Sequence, residues 1–307
     1  MASFCQLVSA HRGNLGEMII DLHSHSTRSD GKESPTEVFE QAALAGVNIL
    51  ALTDHDTTTG WAEASAAAKR LGLGFVPGIE VTTVGKPAEG RRISVHLLAY
   101  LPNPDSEALH AVLGETKVSR EVRGRAIVER LATELPITWE MVMDHLEDGA
   151  TIGRPAIADT LVTMGVVENR SAAFSYYLDS NGPFYVSNDT VEVTEAIELI
   201  RLAGGVPVIA HPLTRVNSQT RRSDLPLSHF EHMIERGLAG FEVYHRDVPE
   251  EARTWLLDLA KKHDLIVTGS SDYHGVHGKP NRLGENSTSP EMLERILALG
   301  TGAQAQL

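Results

Sequence analysis

At 307 residues, 42% of them hydrophobic, the chain can bury a sizeable core and fits one barrel-sized domain, or that domain with a smaller insertion, better than two unrelated halves. Its 27 Lys and Arg stand against 41 Asp and Glu, a formal charge of -14. That excess excludes a general attraction for long duplex nucleic acid and leaves any polyanion to be handled locally, by metal ions or a few placed arginines. A single cysteine, Cys5, excludes an intramolecular disulfide and a thiolate metal cage, and no apolar run nears the roughly 18 residues of a membrane span. A cytoplasmic protein with no membrane contact is expected.

Residues 1–17 form a leader whose short apolar patch is followed by His11 and Arg12; it does not read as a signal peptide and is expected to be poorly ordered. Met18-Ile19-Ile20 begins a strand that runs into Asp21-Leu22-His23-Ser24-His25, where period-two alternation puts both imidazoles on one face. Asp30 follows in the turn Ser29-Asp30-Gly31. Ser34-Pro35-Thr36-Glu37 starts a helix over residues 38–45, closed by Gly46. Residues 47–52 are an apolar strand stopping at Thr53-Asp54-His55-Asp56, and the alanine-rich 59–71 is a helix ended by Gly72. Residues 73–79 make a third strand ending in Glu80, and 93–99 alternate as a strand with His96 inside it.

From residue 103 to 191 the rhythm changes to helical patterns at 105–135, 139–146, 154–164 and 170–178, which reads as an inserted helical cap. The first rhythm then resumes with helix 192–203, the turn Gly204-Gly205, and strand 206–210 ending at His211-Pro212. Helix 225–236, strand 240–244, helix 250–263 and strand 265–268 follow, the last ending in Gly269-Ser270-Ser271-Asp272-Tyr273-His274-Gly275; helix 290–299 closes the chain. The pattern predicts an α/β barrel over 18–102 and 192–307, with the cap at 103–191. In a parallel sheet or barrel the strand ends point one way, so residues distant in sequence converge.

Collecting strand-end residues gives His23, His25, Asp30, His55, Glu80, His96, His211, Asp272 and His274. Imidazole with carboxylate suits manganese, iron or zinc, and nine ligands exceed what one ion uses, so two or three divalent ions are implied. Each residue alone has a plainer explanation: His96 as a hydrogen-bonded core histidine, Glu80 as a loop acid, His211-Pro212 as a strand-terminating turn. Their recurrence at nearly every predicted strand end is what independent plain explanations do not produce. Such a cluster activates water and clamps the attacking and leaving oxygens of a phosphoryl transfer, with Asp272 or a neighbouring histidine such as His211 shuttling protons. The remaining histidines considered, His11, His110, His145, His229, His232 and His263, fall on helices or in the leader and read as surface residues.

These motifs resemble the polymerase and histidinol phosphatase (PHP) family of metal-dependent phosphoesterases. The resemblance runs in order through Asp21-Leu-His-Ser-His-Ser26 with Ser29-Asp30-Gly31, Leu52-Thr-Asp-His-Asp56, Pro77-Gly-Ile-Glu80, His96, Ala210-His-Pro212 and Ser271-Asp-Tyr-His-Gly275. It implies a distorted, TIM-like (β/α)7 barrel of seven strands and a trinuclear site. His23, His25, Glu80 and Asp272 would hold one ion; a bridging Glu80 with His96 and His211 a second; Asp30, His55 and His274 the third. Asp30 stands where some relatives have histidine.

The inserted segment, with Ile152-Gly-Arg-Pro155 and Phe184-Tyr-Val186, resembles the subgroup acting on nucleoside 3',5'-bisphosphates. That resemblance implies removal of the 3'-phosphate by a metal-bridging hydroxide to leave the 5'-mononucleotide, and for some members trimming of short RNA from the 5' end. Ala156 stands where relatives usually have histidine. Arg154 is the first candidate for a phosphate clamp, since a guanidinium offers planar, bidentate donors. Lys279, Arg282 and Arg246 follow strand ends as further candidate substrate contacts, and Tyr176, Tyr177, Phe184 and Tyr185 supply either a stacking surface or the cap's own small core. The rival readings are a phosphatase for histidinol phosphate or another small metabolite, and a non-catalytic metal-binding module.

Overall fold

The structure, a computed structural model, describes residues 18–88, 91–213 and 226–307. The expected leader with Cys5, and Leu225 at the expected start of one helix, lie outside the described residues. Seven strands form one sheet in sequence order: β1 (Ile20–Asp21), β2 (Ile49–Leu52), β3 (Gly74–Ala88), β4 (Arg91–Tyr100), β5 (Val206–Ile209), β6 (Gly240–Tyr244) and β7 (Ile266–Gly269). A parallel bridge from Ser24 to Tyr273, with His25 N–H donating to the Tyr273 carbonyl at 2.8 Å, joins the ends of β1 and β7. The result is a nearly closed seven-stranded α/β barrel.

Local sequence explains the elements. Helix α1 (Pro35–Leu44) begins with a reciprocal capping box between Ser34 and Glu37 and a proline in its first turn. Helix α2 (Trp61–Leu71) stops at Gly72, whose φ of 71° is the left-handed conformation glycine adopts without penalty. Every residue of β2, Ile-Leu-Ala-Leu, is buried, as expected of a parallel strand covered on both faces.

Two expectations are corrected. The strand expected to end at Glu80 continues to Ala88, because β4 supplies an antiparallel ladder from Gly78–Tyr100 through Val84–Ser94, so Glu80 sits within β3. The strands also do not all run one way. β4 is antiparallel to both β3 and β5, while the other neighbouring pairs are parallel, so His96 reaches the barrel's interior from mid-strand.

Helices α3 (Glu107–Leu131), α4 (Trp139–Met143), α5 (Arg154–Thr163) and α6 (Arg170–Ser175) lie between β4 and α7 (Val193–Leu202). Ile127, Leu131, Val142, Ile157, Leu161 and Phe184 belong to an apolar cluster within this helical segment, separate from the barrel's clusters. α8 (Leu227–Glu235) and α9 (Glu250–Lys262) contribute Phe230, Met233 and Leu256 to a barrel cluster that also holds Phe241 of β6. α10 (Pro290–Leu299) packs Leu293 and Ile296 with Ile20, Ile49 and Val208. No helix among the described residues is long and apolar enough to cross a membrane.

Phe241 is fully buried, meets Phe230 at a ring separation of 6.0 Å, and precedes a residue of the site described below. Phe241→Ala is expected to destabilise the fold by about 3–5 kcal/mol, read from the midpoint of urea unfolding.

Candidate metal centre

Glu80 is the meeting point of five imidazoles. Its Oε2 lies 3.2 Å from His23 Nε2, 3.0 Å from His25 Nε2 and 3.3 Å from His55 Nδ1. Its Oε1 lies 2.8 Å from His96 Nδ1 and 3.1 Å from His211 Nε2. Asp272 Oδ1 approaches His23 Nε2 at 3.4 Å, His25 Nε2 at 3.3 Å and His274 Nδ1 at 3.5 Å. Asp30 faces His274 Nε2 at 3.2 Å, and His25 and His55 at 3.6 Å each. Three sets of donors are close enough to share ions: His23, His25, Glu80 and Asp272; His25, Asp30 and His274; His55, Glu80 and His96. All nine expected residues therefore stand in one neighbourhood.

Outer contacts determine which ring nitrogens face inward. His23 Nδ1 lies 3.0 Å from Glu242 Oε1, and His274 Nδ1 lies 2.8 Å from the Asp272 carbonyl. These acceptors take the Nδ1 proton and aim Nε2 into the site, the orientation that metal-binding imidazoles require. His23 Nε2 and His25 Nε2 then face one another at 3.0 Å. Asp272 Oδ1, His55 Nδ1 and His274 Nε2 are buried without a hydrogen bond. Ring nitrogens converging on carboxylates, with orphaned buried oxygens and nitrogens among them, are costly unless a cation, a proton or a metal ion, fills the space between them, so these residues fit divalent ions.

The backbone is bent to make this arrangement. His211 and Asp272, at the ends of β5 and β7, have φ of 30° and 55°, a region that side-chain-bearing residues rarely occupy. His211 N–H donates to Glu242 Oε2 at 2.8 Å, and Asn281 Nδ2 donates to the neighbouring Ser271 carbonyl at 2.6 Å. Asp54 holds the Asp30 loop through Ser26 N–H, Ser26 Oγ and Ser29 Oγ, each at 2.7 Å. The donors are buried except on one side: the His96 and His211 side chains are 25% and 24% exposed, which marks where the centre opens to solvent.

Electrostatics follow from the same packing. Burial pushes the carboxyls of Glu80, Asp30 and Asp272 upward, yet neighbouring imidazoles, and Lys279 for Asp272, hold all three well below the ordinary range. For His25, burial pushes the pKa down, but the close carboxylates of Asp272, Glu80 and Asp30 raise it to about 9. His55, His96 and His274 are lowered, chiefly by burial.

The expected substrate contacts are more dispersed. Lys279 Nζ donates to Asp272 Oδ2 at 2.7 Å, placing a cation at the centre's edge. Arg154, the first residue of α5, donates to the Leu178 carbonyl at 2.9 Å and lies over the Phe174 ring. Arg246 is engaged with both carboxylate oxygens of Glu285, at 2.7 and 2.5 Å, and Arg282 is exposed. Tyr177 stacks on Phe184 at 6.0 Å within the helical segment.

Sequence reasoning missed Glu242 and His245 on and after β6. Both are buried, and His245 Nε2 stands 3.7 Å from Asp272 Oδ2 without a hydrogen bond. The strand-end criterion applied to the other strands would have found them in Phe241-Glu242-Val243-Tyr244-His245. It also missed Arg120, which reaches from α3 to Asp56 at 2.8 Å, and a cleft of about 190 Å³ beside Asp30 whose lining includes Lys32, His145, Gly153, Ala156, Asp159 and Arg170.

Two outcomes are expected. Ions must displace protons held by His25, so metal affinity should rise with pH toward about 9 and binding at pH 7 should release protons, measurable by calorimetry in buffers of different ionisation enthalpy. In the metal-free protein the stabilisation from charged His25 is present below its unfolded value of 6.5 and lost as pH rises through about 9. Separately, Glu242→Ala removes the acceptor that orients His23 and anchors His211, and should weaken metal binding about 10- to 100-fold in a competition titration.

Comparison with known proteins agrees with this centre. Residues 21–122 match the PHP domain model. The chain is 35% identical over 255 residues to a 5'-3' exoribonuclease of Haemophilus influenzae, covering 83% of this chain and 89% of that protein. It is 34% identical over 260 residues to a 3',5'-nucleoside bisphosphate phosphatase of Chromobacterium violaceum, covering 83% and 87%. A crystal structure from Bifidobacterium adolescentis, named for metal-dependent phosphoesterase activity, superposes with a TM-score of 0.86 at 40% identity, covering 93% of this chain and 97% of that one. With a nearly closed seven-stranded barrel and His, Asp and Glu side chains converging at its mouth, this chain belongs to the PHP family of metal-dependent phosphoesterases.

Proposed function

We propose that this phosphoesterase acts on a phosphomonoester, removing the 3'-phosphate of a nucleoside 3',5'-bisphosphate to leave the 5'-mononucleotide. The observation that carries the reading is a cleft of about 190 Å³ that adjoins the Asp30 side of the donor cluster and is walled by Gly153 and Ala156 of the helical segment. A small phosphorylated molecule suits a cleft of this size, and a long duplex does not. The named phosphatase activity of the Chromobacterium violaceum relative supports the same substrate class.

In this reading His23, His25, Glu80 and Asp272 hold one divalent ion, Glu80 with His96 and His211 a second, and Asp30, His55 and His274 a third, of manganese, iron or zinc. When bound, such ions supply Lewis acidity toward phosphate oxygens and activation of water. The protein contributes position and protons. Asp272 Oδ2 accepts from the Lys279 ammonium, so this carboxylate stays ionised beside the ion it would hold, while Lys279 offsets phosphate charge and stands at the edge where the departing alcohol takes up a proton. His211, held by Glu242 at the open side, orients the phosphate as it enters.

Residues 103–191 act as the cap, and Arg154 is the phosphate clamp. Arg120 and Arg123 stand with it around Gly153, so three guanidinium groups raise the positive potential on this side of the cap. Arg246 and Arg282 remain candidate contacts at the rim. Trimming of short RNA from its 5' end is a second reading, favoured by the exoribonuclease relative.

A phosphate-release panel with manganese added to metal-free protein tests these alternatives. Release should be fastest from the nucleoside 3',5'-bisphosphate, slower from histidinol phosphate, and lost in His23→Ala and Asp272→Ala while circular dichroism stays unchanged. Preference for histidinol phosphate, mononucleotide release from 5'-phosphorylated RNA as the dominant activity, or bound metal without turnover on any substrate would each displace the main reading.

A further inference from the structure

We propose that Arg170 is a positioning residue for Asp30, so that the ion on the Asp30 side is held tightly only while the helical segment is docked on the barrel. The proposal rests on the assignment of Asp30 as a metal ligand given above. Arg170 opens α6, and its Nη1 and Nη2 donate to the Asp30 carbonyl oxygen at 3.3 and 3.4 Å. The guanidinium is itself fixed by Asp159 of α5 through two bonds of 2.6 and 2.7 Å. Asp159 also receives Lys32 Nζ, two residues beyond Asp30. One carboxylate of the helical segment thus grips Lys32 directly and Asp30 through Arg170.

The barrel holds the same loop from its other side. Gly31 N–H donates to the Ser26 carbonyl at 3.0 Å and Lys32 N–H to the His274 carbonyl at 2.9 Å. A Cβ at Gly31 would fall 2.5 Å from the His25 carbonyl oxygen, so the loop is pressed against the backbone that carries another donor. Asp30 is thereby clamped between two bodies with its carboxylate facing His274, His55 and His25. The Arg170 and Asp159 side chains are only 12% and 13% exposed, so water offers a poor substitute for the clamp.

Charge and geometry make opposite predictions for this arginine. As a cation beside a cation site, Arg170 disfavours the ion electrostatically, and its removal would tighten binding if charge alone mattered. As a clamp on a ligand-bearing loop it favours the ion, and its removal weakens binding, typically about 10- to 100-fold for such outer contacts.

The test is manganese titration of the full-length metal-free protein with the bound ions counted by mass spectrometry, for the wild type, Arg170→Met, Arg170→Lys, Asp159→Asn and Asp30→Ala. Arg170→Met should weaken, by about 10- to 100-fold, the same ion that Asp30→Ala removes, leave the others bound, and be partly rescued in Arg170→Lys. Asp159→Asn, which keeps the shape and loosens the clamp, should move the same ion in the same direction. Tighter or unchanged binding in Arg170→Met, or equal weakening of every ion, would overturn the proposal. Should Arg170→Met fail to fold, unchanged binding in Asp159→Asn would do so. If Asp30→Ala loses no ion, the ligand assignment itself falls and the proposal with it, whereas a failure confined to Arg170 leaves that assignment standing.

Discussion

Everything at the mouth of this barrel depends on one electrostatic constraint: three buried carboxylates, Glu80, Asp272 and Asp30, share one small space with six imidazoles. Buried charges of this density are tolerable only when compensated. In the metal-free molecule protons supply the compensation, which is why His25 is raised to about 9 while the acids are held low. Divalent ions held by these residues would supply the same compensation by coordination. The site is thus a cavity whose own charge balance favours cations, in a protein whose overall excess of acid points the same way.

The barrel makes that density possible by drawing its donors from several elements. β1 and its following loop supply His23, His25 and Asp30; β3 supplies Glu80; the reversed strand β4 supplies His96; the ends of β5 and β7 supply His211, Asp272 and His274. Rigid pairing between neighbouring strands fixes their separations, and Glu242 of β6 ties His23 to the backbone of His211 across the interior. Left-handed backbone at His211 and Asp272 is a local cost offset by the surrounding hydrogen bonds.

The helical segment adds what a bare barrel lacks. It has its own apolar cluster, so it is shaped independently, yet it touches the barrel's loops at Arg28 through Glu147, at Asp56 through Arg120, and at the Asp30 loop through Asp159 and Arg170. These contacts are polar and close to the donor cluster. The helical segment and the loops that carry the donors therefore meet through the same few side chains.

The sequence by itself determined which residues could become ligands and where most elements begin and end. His23 and His25 share a strand face by alternation alone, and Ser34 with Glu37 or Gly72 mark helix ends by local chemistry. Those properties depend on neighbours a few residues away, so they are legible in one dimension. Tertiary structure decided the rest: that β4 runs against its neighbours, that Glu80 lies inside a long strand, and that Arg170 reaches Asp30 across 140 positions. Strand direction depends on which ladder a segment finds, and a long-range ion pair depends on two surfaces meeting. Neither leaves a periodic trace in the chain, because the partners that stabilise them are set by packing between elements rather than within them.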